Sequence, residues 1–261
     1  MLQCCGYSDN VFGGSFDLPF VQGSQIREKG RMIERDAYIL AGPTASGKSS
    51  IAASLAREMG ARILSADSML VYKGMNIGTS KPPQTEIEEF GMGGVDVVTP
   101  AEEFSSGAWL RAAAEWIRTV PDDVPVIIVG GTGLYFSALL RGLDGEWKNP
   151  PPEYPVIKID RAVVRRRIAD RLDDMFMAGL EEEKRRLHER YPVWSKTAAL
   201  AIGYREGDDR DKIFIRTCQL AKRQDTWFRH QATPIYVDST VDAVRKCWNE
   251  KGPWRVQFTM V

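Results

Sequence analysis

The chain has 261 residues, 43% of them hydrophobic and 27% charged, with 35 Lys and Arg balancing 35 Asp and Glu. This is enough material for one large domain, or for a domain with a small appendage, to bury a core without disulfide or metal staples. No apolar run reaches the length of a membrane span and no basic segment followed by an apolar one opens the chain, so a cytosolic protein is expected. The four cysteines form no CxxC pair, and His188 and His230 are too few and too far apart for a metal cage.

Residues 1–31 show no period and carry several glycines among polar residues, which reads as a flexible leader outside the working fold. The main domain is expected over 32–261. Its first strand is Tyr38–Ala41, followed by GPTASGKS and a helix over Ser49–Glu58 with Ile51, Leu55 and Met59 at helical spacing. Gly42, Pro43, Thr44, Ala45, Ser46, Gly47, Lys48 and Ser49 fit the phosphate-loop pattern G-x-x-x-x-G-K-[ST] at every position. Glycines let backbone N–H groups face an anion, the helix start adds its positive end, Lys48 adds a full charge, and Ser49 can reach Mg²⁺. The loop alone specifies a phosphorylated ligand, and a small-molecule kinase would satisfy it.

Ala61–Ala66 is a second strand ending at Asp67, and Pro125–Val129 a third ending at Gly130, Gly131, Thr132 and Gly133. Unbroken apolar strands alternating with helices indicate a parallel sheet covered on both faces, whose ligands collect at the strands' carboxyl ends. The predicted class is α/β, a P-loop NTPase-like three-layer fold with a mostly parallel sheet and C-terminal helices. The irregular stretch from Asp67 to Pro82 lies at that ligand end, where long structured loops tend to carry function. An Asp at a strand end is also a common helix cap, and a GGTG segment a common tight turn.

A proline-rich connector near 143–155 precedes a strand over Val156–Ile159. Arg161–Arg190 then carries a helical stripe that Gly179 bends or interrupts, Lys212–Arg229 carries another, and Ile235–Val237 is a closing strand. Between Pro155 and His230 there are 18 Lys and Arg against 13 Asp and Glu, an excess that marks a solvated face or a polyanion-binding one.

AGPTASGKSS, SADSMLVYKGMNIGTSKP, VGGTGLYFSALLRGL, RRRIADRLDDMFMAGLEEE, AIGYRE and AKRQDTWFR occur in this order. Together they resemble the tRNA dimethylallyltransferase (isopentenyltransferase) family from about Tyr38 to Asp238. The resemblance implies an enzyme that moves a dimethylallyl group from dimethylallyl diphosphate to N6 of the adenine at position 37 of tRNA, beside the anticodon. It implies Asp67 as general base, Thr132 as hydrogen-bond partner of the oxygen bridging the allyl group to the diphosphate, and Arg171 as stabiliser of the leaving diphosphate. The phosphate loop would hold the diphosphate, with Mg²⁺ at Ser49.

Contacts to the tRNA are implied for Asp67, Ser68, Met69 and Leu70, for Ala201, Ile202, Gly203, Tyr204, Arg205 and Glu206, and for Lys222, Arg223, Gln224, Asp225, Thr226, Trp227, Phe228 and Arg229. Arg216, Lys222, Arg223 and Arg229 suit backbone phosphates. Trp227 and Phe228 suit either base stacking or core packing, with packing favoured. A monomer is expected.

The chain departs from that pattern at Leu70, where a Gln is common, and at GMGGVDVV, which lacks the usual histidines. It also departs at 143–155, where the family inserts a helical subdomain with an arginine-rich stretch. The last departure leaves the diphosphate residues intact and removes part of the RNA grip. Prenylation of a free adenine nucleotide, or a non-catalytic RNA- or nucleotide-binding relative, therefore stand as alternatives.

Overall fold

The computed structural model describes residues 27–29, 32–143, 153–231 and 233–259. Most of the leader reading and the proline-rich part of the connector lie outside these residues. Five strands form a parallel sheet in the order β3 (Arg62–Ala66), β4 (Val126–Gly130), β2 (Met32–Ala41), β5 (Tyr154–Lys158) and β6 (Pro234–Asp238). β2 and β4 stand at the centre of the sheet, and every residue of β4 is buried, which explains its unbroken apolar sequence. Helices α1 (Lys48–Met59) and α8 (Val241–Lys251) pack together, α1 against β2 to β4 and α8 against β6. Helices α3 (Ser106–Ile117) and α4 (Gly133–Arg141) pack against each other and against β7 (Trp254–Thr259). The expected three-layer α/β arrangement is present.

β2 begins well before the predicted Tyr38 because its first half belongs to a second ladder. Met32–Ala37 pairs antiparallel with β7, and Arg27–Lys29 (β1) pairs antiparallel with Met32–Glu34. The ordered sheet therefore reaches into the segment read as leader. Alternation in MIERDA, with Ile33 and Arg35 inward, is the period of a strand, but the buried arginine masks it. Arg35 is fully buried and donates to the carbonyls of Val120, Pro121 and Val124, so its charge is met by backbone oxygens of the α3–β4 connection.

The long C-terminal stripe resolves into three helices. α5 (Arg161–Met177) and α6 (Leu180–Arg190) are separated at Gly179, whose φ of +92° is the left-handed conformation that a glycine supplies at least cost. α7 (Arg210–Gln231) packs on α5 and on α4. A short helix, α2 (Gln84–Glu89), closes the loop after β3. Among the described residues no helix is long and apolar enough to cross a membrane.

Candidate active site

The carboxyl ends of β2, β3 and β4 deliver the phosphate loop, Asp67 and Gly130–Gly133 to one edge of the sheet. The loop turns through Ala45 at φ +60° and Gly47 at φ +89°, then enters α1 directly at Lys48. Successive N–H groups in such a turn and helix start face a common point, an anion cradle. Lys48 is buried and, among the described residues, its Nζ donates only to the Pro43 carbonyl, at 3.2 Å. Burial lowers its pKa to about 8, against an opposing pull from Asp67, while Arg171 pushes it further down. Ser46 Oγ is buried with no partner among the described residues. A buried ammonium and an orphaned hydroxyl in the same loop are what an anionic ligand would satisfy.

Two arginines of α5 reach this loop. Arg171 Nη1 lies 3.4 Å from Thr44 Oγ1, and Arg167 Nη1 donates to the Ala45 carbonyl at 3.3 Å. Burial lowers the pKa of Arg171 while Asp67 raises it, so the guanidinium sits between a carboxylate and the loop. Asp67 Oδ1 accepts from the Met69 N–H at 2.9 Å, and its other oxygen makes no hydrogen bond among the described residues. Thr132 Oγ1 accepts from the Ser68 N–H at 2.9 Å and lies 3.3 Å from Ser68 Oγ. The hydroxyl and the carboxylate are thereby held by the same short segment. Gly130 ends β4 opposite Ala66 and lies so close to it that an added Cβ would be 2.1 Å from its carbonyl oxygen.

Two cavities meet here. One, of about 300 Å³, is lined by Lys48, Ser49, Asp67 and Arg171, with Leu70, Phe90 and Met92 as an apolar wall. The other, a cleft of about 510 Å³, runs between α5, α7 and the 200–205 segment and is lined by apolar side chains such as Ile168, Leu172, Leu220 and Trp227 together with polar ones that include Arg205 and Arg223. Thr44, Asp67 and Arg171 line both.

Other residues named from the sequence divide. Ser68, Met69, Ala201, Ile202, Arg205, Arg223, Gln224 and Trp227 line the cleft, whereas Leu70 faces the phosphate-side cavity. Tyr204 does not face the cleft. It is buried and donates to Glu183 Oε1 at 2.6 Å, and Glu183 also accepts from the N–H groups of Asn76, Ile77 and Gly78. Gly78 passes so near that an added Cβ would be 2.5 Å from the Tyr204 ring. Tyr204 and Glu183 thus brace the Asp67–Pro82 loop from below. The Glu206 side chain is likewise enclosed, accepting from the Gly203 N–H and pairing with Arg205 and Arg216. Phe228 is core, packed edge-on to Phe136, while Trp227 is half-buried over Gly133. Lys222 and Arg229 are exposed, and Asp225 and Thr226 lie on the outer side of α7.

Glu183, Gln224 and Arg167 are the residues that sequence reasoning gave no bracing role. Gln224 lies inside AKRQDTWFR, but only the fold shows that it joins two loops distant in sequence.

A family model described as IPP transferase matches residues 70–157 and 145–231, and one described as isopentenyl transferase matches 35–91. The tRNA dimethylallyltransferase of Dechloromonas aromatica (strain RCB) is 30% identical over an alignment covering 73% of this chain and 88% of that one.

The chain belongs to the IPP transferase family.

Solved structures agree on the fold. The tRNA isopentenylpyrophosphate transferase of Bacillus halodurans superposes with a TM-score of 0.69 at 23% identity, covering 80% of this chain and 94% of that one. A eukaryotic dimethylallyltransferase described as acting on tRNA gives 0.66 at 20% identity, covering 83% and 76%. In this IPP transferase the phosphate loop, Asp67 and Arg171 line one cavity, and Thr132 lines the cleft that shares Asp67 and Arg171 with it.

Proposed function

We propose that this IPP transferase moves a dimethylallyl group from dimethylallyl diphosphate to the exocyclic amine of an adenine beside the anticodon of a tRNA. The observation that carries the reading is that Asp67 and Arg171 stand at the junction of the two cavities. A diphosphate in the loop and an adenine in the cleft would meet there. Family membership removes the kinase reading.

In this reading the phosphate loop, Lys48 and Arg171 hold the diphosphate, and the wall of Leu70, Phe90 and Met92 takes the five-carbon chain. The adenine N6 lone pair forms the new bond to the allylic carbon as the carbon–oxygen bond breaks, its electrons leaving with the diphosphate. Asp67, through its unengaged oxygen, takes the N6 proton, a role worth roughly 10²- to 10⁴-fold. Thr132 can turn its O–H from Ser68 toward the bridging oxygen. Arg171 and Lys48 oppose the charge that grows on the leaving group, where one well-placed donor is worth about 3 to 4 kcal/mol.

Mg²⁺ fits the donor set. Ser49 presents its hydroxyl to the cavity that also holds Asp67 and Lys48, and this cation is typically held by one or two protein groups together with substrate phosphates. When bound it would neutralise part of the diphosphate charge.

The family model matches in two pieces whose ranges overlap at 145–157, which supports the reading that the inserted RNA-gripping subdomain is reduced to a linker here. A reduced grip favours testing free AMP beside tRNA. The deciding experiment is transfer of radiolabelled dimethylallyl groups to unmodified tRNA, with AMP as competitor. Product on tRNA is expected. Product on AMP alone selects the nucleotide reading, and none on either acceptor from folded protein overturns the activity.

A further inference from the structure

We propose that a second stretch of RNA backbone is held on the far side of α7, in a cation-rimmed groove between α5 and α7. The inference rests on the tRNA reading above and names a surface that the transfer chemistry does not use. The groove encloses about 460 Å³ over an apolar floor that includes Val164, Cys218 and Ala221, and its rim carries Lys158, Arg161, Arg165 and Lys222. None of these four cations has an ion-pair partner among the described residues. Lys158 instead lies over the Tyr236 ring at 5.8 Å and Arg165 over Phe214 at 5.0 Å. On neighbouring α6, by contrast, Arg185 and Arg186 are tied to Glu182. One carboxylate, Asp225, lines the groove, and Asp160 nearby is engaged by the first N–H groups of α5.

The groove is linked to the base cleft over the surface of α7. A shallow depression on the outer side of α7 shares Arg223 and Trp227 with the cleft, and Gln219 and Lys222 with the groove. An adenine in the cleft places its neighbouring nucleotides against that ridge, and the strand then meets the cations of α5. Unpaired cations beside aromatic faces are the usual means of holding single-stranded RNA without reading its sequence. An acidic peptide would match the charge but not the link to the base cleft. In a chain with a shortened insertion, this track supplies grip from the core itself.

The test measures binding of an unmodified anticodon stem-loop across a range of salt concentrations. The variants are the double charge reversal Arg161→Glu with Arg165→Glu, and separately Asp225→Asn. A carboxylate in the first turn favours a helix, so Arg161→Glu is compatible with α5. Each lost phosphate contact lowers the salt slope by about 0.7 to 0.9, so the double reversal is expected to lower it by about 1.5 or more. It should also weaken binding roughly tenfold or more at 0.15 M salt and raise KM for tRNA while leaving kcat at saturation unchanged. Asp225→Asn should tighten binding, a gain that misfolding cannot produce. The reversal Lys246→Glu with Lys251→Glu on α8 should leave the slope unchanged.

Wild-type transfer with an unaltered slope in the double reversal and unaltered affinity in Asp225→Asn overturns this surface and leaves the activity standing. A wild type that neither binds nor prenylates RNA overturns both. A polyglutamate peptide that competes with the stem-loop at equal charge overturns the commitment to RNA.

Discussion

The Gln224 carboxamide accepts from the Thr44 N–H at 2.8 Å and donates to the Gly131 carbonyl at 3.0 Å. One side chain on α7 thus ties the phosphate loop to the loop carrying Thr132, using both halves of an amide. Gln224→Leu leaves both partners unmet, which costs about 2 kcal/mol, or roughly 30-fold in kcat/KM for the diphosphate donor. Gln224→Glu keeps the shape and the acceptor, but sets a carboxylate against a carbonyl near the diphosphate. It should fare worse than leucine. Steady-state kinetics at varied donor concentration check this, and a glutamate variant equal to wild type would refute the tie.

In the proposed reading Asp67 serves as the base rather than as a diphosphate contact, because a carboxylate repels the diphosphate and only its Oδ1 is engaged, by the Met69 N–H, among the described residues. Asp67→Asn should lower kcat by about 10² or more while pyrophosphate binding, followed by calorimetry, changes by no more than about twofold. Loss of pyrophosphate binding together with turnover would reassign the residue to the donor site.

Burial holds the Lys48 pKa at about 8, below the ordinary 10.5. The unfolded chain holds this proton more firmly, so the group's contribution to stability rises as pH increases from 8 toward 10.5. Ligand binding runs the other way. A diphosphate restores the charged form, so its binding takes up a proton above pH 8 and its affinity falls by up to about tenfold per pH unit there. Calorimetry in buffers of different ionisation enthalpy reads that uptake directly. Lys48→Met should remove the uptake, and unchanged uptake in that variant would place the proton elsewhere.

Gly130→Ala would put a methyl group against the Ala66 carbonyl, on the ladder joining β3 to β4. Forcing these strand ends apart costs about 1 to 3 kcal/mol of stability and separates Asp67 from Thr132. Thermal denaturation should show a lowered Tm, with activity reduced even at temperatures where the variant is folded. Full activity in the folded variant would mean that the spacing is not critical.

The parallel sheet and phosphate loop were legible because GPTASGKS, VIIVG and RILSA each carry their signal within a few residues. Gly179 announced the break between α5 and α6 for the same reason: a left-handed residue has a local cost. The bracing pairs were not legible. Tyr204 with Glu183, and Gln224 with Thr44 and Gly131, are contacts between segments whose separation only the fold closes. Tyr204 and Phe228 sit in motifs whose neighbours Ile202, Arg205 and Trp227 line the cleft, yet burial claims both. The first half of β2 was hidden because Arg35, charged in sequence, is satisfied by carbonyls from another element.

The strand that ends in the phosphate loop begins in a ladder with β7, where Glu34 faces Gln257 across a separation of 223 residues. On the ribosome, β2 emerges well before the antiparallel partner that covers it. A chain halted before Trp254 carries every chemical motif of the site, but its central strand still has an open edge and Ile33 lacks the Phe258 that covers it. Such an edge is a template for misassociation. Synthesis through β7 therefore separates a polypeptide that contains the donor site's residues from one that can hold them in place.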